Sequence, residues 1–238
     1  MNQPSDHRFQ SPLIPWNCEV LPNGMSLITK EVHSAPIVAI DIWAATGSGD
    51  ETILNNGISH FYEHLFFKGT EKYPVGALDK AIKSFGGYDN AETSFDFTHY
   101  YVVLPSEHCF TALEILTDAY LNASLPFEEI DRERMVVYEE IRRKEDSPTG
   151  KLFSDFLSHL FPGIPYGMEV LGTEESLSRI TRDDLLCFKE DRYCPSKTSL
   201  VIVGDFQADA IRRKVHDLFE GFTNGSSQCD ADFSAKPS

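Results

Sequence analysis

The residues of this chain best suited to chemistry lie together in Gly57-Ile58-Ser59-His60-Phe61-Tyr62-Glu63-His64-Leu65. In a helix of 3.6 residues per turn, His60 and His64 stand one above the other, with Glu63 on the same side. Ile58, Phe61, Tyr62 and Leu65 follow the i, i+3, i+4, i+7 spacing of a buried stripe on the opposite side. Such a helix is anchored by its apolar face and offers two imidazole nitrogens and a carboxylate on the other. Zinc takes these donors, and a catalytic site uses three protein ligands with water in the remaining place. Bound zinc lowers the pKa of that water towards neutrality, and Glu63 would stand beside it as a base. Two chance histidines on a half-buried helix would look the same locally. The zinc reading therefore needs a third ligand from elsewhere in the chain.

The surrounding pattern supplies elements to carry one. Trp16–Leu21 and Met25–Glu31 flank the turn Pro22-Asn23-Gly24 and read as a hairpin. Residues 37–45 read as a largely buried strand, and Pro74–Phe85 as a helix with Val75, Leu78, Ile82 and Phe85 on one face. Tyr88–Ser94 is polar enough to suit a sheet edge, and Thr98–Leu104 is a second strand. Helices are expected over Ser106–Ala123, Phe127–Lys144 and Lys151–Leu160, the last with a wide apolar face. Thr181 and Asp184 resemble a capping box opening a helix that runs to about Tyr193. A strand over Ser199–Val203 and a helix over Ala208–Phe219 follow. The fold class is α+β, a two-layer mixed sheet with helices packed on one face. One domain is expected over 16–222, between a flexible segment at 1–15 and a linker or tail at 223–238.

The helix best placed to supply the third ligand is Phe127–Lys144. Glu133 and Glu140 are seven residues apart and share a face. A pair of carboxylates pointing one way from a half-buried helix suits a cation opposite. A solvated acidic face explains it equally well, because Glu128, Glu129, Glu139 and Glu145 crowd the same segment.

Composition narrows the setting. The chain has 238 residues, 41% of them hydrophobic and 24% charged, which is ordinary for a globular protein with a full core. The net charge of −16 argues against a nucleic-acid binder and suits either basic peptides or simple solubility. No apolar run approaches the roughly 20 residues that span a bilayer. The first fifteen residues show neither a signal-peptide nor a transit-peptide pattern, so a cytoplasmic location is expected. Five scattered cysteines without Cys-x-x-Cys spacing read as free thiols.

Several ordered motifs, taken together, resemble the catalytic N-terminal half of the pitrilysin, insulysin and mitochondrial-processing-peptidase family, whose His-x-x-Glu-His order defines the inverzincins. They run from Leu21-Pro22-Asn23-Gly24 through Asn56–His64 and Phe67-Lys68-Gly69-Thr70 to Gly86–Thr93. They continue with Glu133-Arg134, Glu139-Glu140-Ile141, Pro165-Tyr166-Gly167, Gly172-Thr173, Tyr193-Cys194-Pro195 and Gly204-Asp205. The resemblance implies a zinc endopeptidase with His60, His64 and Glu140 as ligands of one Zn2+ and Glu63 as general base. It implies Glu133 as support to the ligands, with Glu139 the competing choice for third ligand. Asn90 and Ala91 match the edge strand on which family members lay an extended substrate. Family enzymes pair two related halves, so the resemblance implies a homologous second half or subunit, or a homodimer, and no nucleic-acid or membrane partner. The alternative on the same fold is a non-catalytic peptide-binding or scaffold subunit. A structural zinc domain would need a fourth ligand, and no spare Cys or His stands close in sequence.

Overall fold

A computed structural model describes residues 16–224. The expected flexible segment at 1–15 lies outside the described residues, as does all but the first two residues of the tail expected at 223–238. The chain forms one six-stranded mixed sheet and eight α-helices among the described residues. The strands are β1 (Asn17–Val20), β2 (Ser26–Glu31), β3 (Ile37–Ala44), β4 (Tyr88–Thr93), β5 (Thr98–Pro105) and β6 (Thr198–Gly204). They lie in the order β1-β2-β6-β3-β5-β4, parallel only between β2 and β6. The helices are α1 (Ile58–Phe66), α2 (Ala77–Ser84), α3 (Cys109–Asn122), α4 (Phe127–Glu145), α5 (Pro148–Leu160), α6 (Glu174–Arg179), α7 (Arg182–Arg192) and α8 (Ala208–Phe219). None is long and apolar enough to cross a membrane. Cys18, Cys109, Cys187 and Cys194 are free thiols.

The alternation that marked the strands sorts their side chains between two faces. Val38, Ile40, Ile42 and Ala44 of β3, with Tyr100, Val102 and Leu104 of β5 and Leu200 and Ile202 of β6, form one wall of the core. Ile115 and Leu116 of α3, Leu185 of α7, and Ile211 and Val215 of α8 join the same cluster. The polar strand β4 closes one edge of the sheet, as its composition predicts.

One expectation needs correction, and one helix was not foreseen. The helix expected over Pro74–Phe85 begins only at Ala77, because Gly76 takes the left-handed conformation (φ 76°) at its start, and Val75 is half-exposed before it. The six-residue helix α6 was not expected. It is too short to show a period, although Thr173 and Ser176 form a reciprocal capping box at its start.

Candidate metal centre

Helix α1 is placed by its apolar side. Ile58, Phe61, Leu65 and Phe66 are fully buried, which stabilises by about 6–12 kcal/mol in all at about 1.5–3 kcal/mol each. Phe66 stacks on Tyr100 with ring centroids 3.7 Å apart, and Tyr62 packs against Tyr193 at 4.7 Å. That burial outweighs any single polar contact on the other face, so the core sets the position of the histidines. The N-terminus of α1 is closed by Glu51. Its buried carboxylate accepts from the backbone N–H of Gly57 (2.7 Å) and Ser59 (2.9 Å) and from Asn56 Nδ2 (2.9 Å). An anion at this end suits the helix dipole. Burial raises the carboxyl of Glu51 above its usual range, opposed by these hydrogen bonds.

On the other side of α1, His60 and His64 stack edge to face with ring centroids 4.7 Å apart. Glu140 arrives from α4, its Oε2 3.6 Å from His60 Nε2 and 3.4 Å from His64 Nε2. Two ligands of one tetrahedral zinc, each about 2.1 Å from it, stand about 3.4 Å apart. The donor types and spacing therefore fit a zinc ion drawn in between them. His60, His64 and Glu140 are the one group of three among the described residues whose donor atoms, all within 4.8 Å of one another, could share a metal. The side chains are 12%, 15% and 31% exposed, which leaves solvent an approach beside Glu140. Glu139 turns away to pair with Arg142 at 2.6 Å and is not part of the group.

The two imidazoles are held differently. Glu133 Oε2 lies 3.2 Å from His64 Nδ1, and Lys68 Nζ sits 2.7 Å from Glu133 Oε1. A carboxylate on the remote ring nitrogen fixes the tautomer and turns Nε2 to the metal side. His60 Nδ1 is buried with no hydrogen-bond partner among the described residues, so no carboxylate holds that ring from behind. The titration of the two rings differs accordingly. Burial, helped by the neighbouring His64, pushes His60 down to about 3. Burial also acts to lower His64, but its bond to Glu133 and the charges of Glu140 and Glu63 prevail and raise it. Burial acts to raise Glu133, and its bonds to His64 and Lys68 prevail and lower it.

Glu63 completes the polar face of α1. Burial raises it above the usual carboxylate range, against a hydrogen bond donated by Thr93 Oγ1 to Glu63 Oε2. Asn90 and Ala91 lie on the edge strand β4 but project to opposite faces. Asn90 Nδ2 donates to the Tyr101 hydroxyl at 3.4 Å, while Ala91 packs against the core. What they share is the free backbone edge, not a side-chain contact with the histidine cluster.

One segment, 169–180, braces both helices that carry the donors. Asn56 Nδ2 donates to the Glu169 carbonyl at 2.8 Å, and Ser176 Oγ to the Asn56 carbonyl at 2.7 Å. Gly57 (φ 93°) and Gly172 (φ 74°) let the backbones touch; a Cβ at Gly172 would sit 2.5 Å from the Asn56 carbonyl. On α4, Arg134 donates to the Leu177 and Ile180 carbonyls, and Arg142 pairs with Glu174. Sequence reasoning missed Glu51, Lys68, Thr93 and this brace. Each acts across a loop or between elements, where helical and strand periods carry no signal. Lys68, Thr93, Arg134 and Gly172-Thr173 all lie within the quoted motifs, and that was the signal that could have found them.

Comparison with known proteins places the chain in a family. The profile of the family described as Insulinase (Peptidase family M16) matches residues 26–174. The "Uncharacterized zinc protease YmxG" of Bacillus subtilis is 36% identical over 201 residues, 84% of this chain and 49% of that protein. The "Probable mitochondrial-processing peptidase subunit beta, mitochondrial" of Arabidopsis thaliana is 31% identical over 199 residues, 84% of this chain and 38% of that protein. The crystal structure of a protease from Helicobacter pylori superposes with TM-score 0.86 at 28% identity, covering 90% of this chain and 52% of that one. The chain thus spans about half the length of the relatives it matches. Matched over most of its described fold, the chain belongs to the insulinase family of peptidases, M16.

Proposed function

We propose that this chain is the metal-binding half of a zinc-dependent endopeptidase that hydrolyses peptides or small unfolded proteins, completed by a homologous second half or subunit. The observation that carries the reading is the meeting of Glu140 with both imidazoles at 3.4 and 3.6 Å, from a helix 76 residues further on. His60, His64 and Glu140 would hold the ion, and Glu133 would fix the ring of His64 from behind. When bound, zinc supplies a Lewis acid that acidifies water and polarises the scissile carbonyl. Glu63 accepts the proton of the attacking water and returns it to the leaving amine. Its burial suits that exchange, because a carboxyl raised above its usual range holds the proton more readily than an exposed one and can pass it on. The free edge of β4, at Asn90 and Ala91, takes the substrate as an added strand through main-chain hydrogen bonds. The second half would position the peptide against this edge, and an isolated half positions it incompletely.

The test is cleavage of a mixed peptide library by the zinc-loaded chain, with and without candidate second halves. Glu63→Gln is expected to keep its zinc and lose cleavage at least 100-fold. Full activity in Glu63→Gln removes Glu63 as the base. Zinc binding and peptide binding without cleavage in any pairing favours a scaffold subunit instead.

A further inference from the structure

Side chains alternate along β4: Tyr88, Asn90 and Glu92 are exposed, while Asp89, Ala91 and Thr93 turn inward and are half-buried. Thr93 is the last residue of the strand, and its hydroxyl donates to Glu63 Oε2 across the contact between β4 and α1. The donor is held firmly. Thr93 pairs in register with Thr98, whose hydroxyl donates to the Thr46 carbonyl at 3.0 Å. The next residue, Ser94, closes the turn through its N–H to the Phe97 carbonyl at 2.8 Å, and its own carbonyl accepts from Ser48 N–H at 3.0 Å. Threonine is stiff about χ1, whereas a glutamate side chain has several rotatable bonds and no preferred direction of its own. A hydroxyl has one proton to give and can therefore hold only one carboxylate oxygen.

We propose that Thr93 is a positioning residue: by holding Glu63 Oε2 from the edge strand, it reserves Oε1 for the attacking water and ties the aim of the base to the strand that seats the peptide. The inference rests on Glu63 acting as the base, as set out above. It assigns β4 a second role: an extended peptide added along this edge lies against the strand that aligns the base. Nothing in the zinc ligand set depends on Thr93, so the ion should bind equally well without it.

The test compares Thr93→Val, which keeps the shape and removes the donor, with Thr93→Ser, which keeps the donor. Zinc content and melting temperature should match wild type in both. In the zinc-loaded enzyme, Thr93→Val should lower kcat about 10- to 100-fold with KM within about twofold, and Thr93→Ser should recover most of it. Crystal structures of the two zinc-loaded variants give a readout free of turnover. The Glu63 carboxylate should keep its direction in Thr93→Ser and leave it in Thr93→Val. An unchanged carboxylate in Thr93→Val, or an equal kcat loss in Thr93→Ser, overturns the proposal. If the wild type cleaves nothing in any pairing, the peptidase reading fails on that result, while the carboxylate direction still decides the role of Thr93.

Discussion

Helices α4 and α5 follow one another with only Asp146 and Ser147 between them, and they use their side chains in opposite ways. Helix α4 is dominated by charge yet buries Glu129 and Glu133 along with Ile130, Val137 and Ile141. Helix α5 carries Leu152, Phe153, Phe156 and Leu160 on one side, and they are 70%, 56%, 57% and 54% exposed; no residue of α5 is buried. An apolar stripe states that a surface gains by leaving water; it does not state which surface covers it. Among the described residues, nothing covers this one. A carboxylate is buried only where cations or hydrogen bonds receive it, and Glu133 meets His64 and Lys68. The polar helix is therefore the one committed to this fold, and its buried Glu133 stands behind His64.

Acid should act most strongly on the buried groups that α4 and α1 bring together, and α5 has none. His60 is held at about 3 in the metal-free fold against 6.5 unfolded, so the unfolded chain binds the extra proton between those values. Stability contributed by neutral His60 is present above pH 6.5 and is lost as pH falls towards 3, by up to about 5 kcal/mol. The lowered Glu133 has the same sign and also gives way in acid. The raised His64 has the opposite sign: its share is whole below 6.5 and is lost as pH rises through its folded value. Metal-free wild type should melt at progressively lower temperature from pH 6.5 downward, and His60→Phe should show a shallower decline. Equal slopes in the two proteins would show that His60 is not held neutral by burial.

Removing the support behind His64 should have the next largest effect. Glu133→Ala should weaken zinc binding about 10- to 100-fold, read by competition with a chelator, while the ligands themselves remain. Unchanged affinity would reduce Glu133 to a partner of Lys68. The smallest effect belongs to α5. Phe156→Ser should change the stability of the chain by no more than about 0.5 kcal/mol in urea unfolding, because no core is lost. A loss of 2 kcal/mol or more would place Phe156 in a core contact and erase the contrast with α4.

Much of this was legible in the sequence because it obeys a short period. The stripe of α1, the alternation of β3, the polar edge strand β4 and the seven-residue spacing of Glu133 and Glu140 all survive in the fold. The preference for Glu140 over Glu139 rests on the family resemblance and on the helical offset that turns Glu139 away from Glu133; in the fold Glu139 pairs with Arg142. The supports of the site were not legible. Glu51 reaches over a loop to cap α1, Thr93 crosses from strand to helix, and Lys68 approaches Glu133 from beyond the end of α1. Such contacts depend on how elements pack, and no local spacing encodes them. The outward face of α5 marks a further limit, because amphipathicity records the need for burial and not its location.

Convergence of α1 and α4 on a single divalent cation requires His60, His64 and Glu140 to hold it together. Metal analysis of the purified chain, stripped with chelator and reloaded with zinc, tests it most directly, with His64→Ala and Glu140→Ala run in parallel. Wild type should hold one zinc per chain and either variant should lose most of it, with both variants still folded by circular dichroism. Wild-type protein that takes up no zinc, or a Glu140→Ala variant that holds it as tightly as wild type, would show that the two helices do not share a metal.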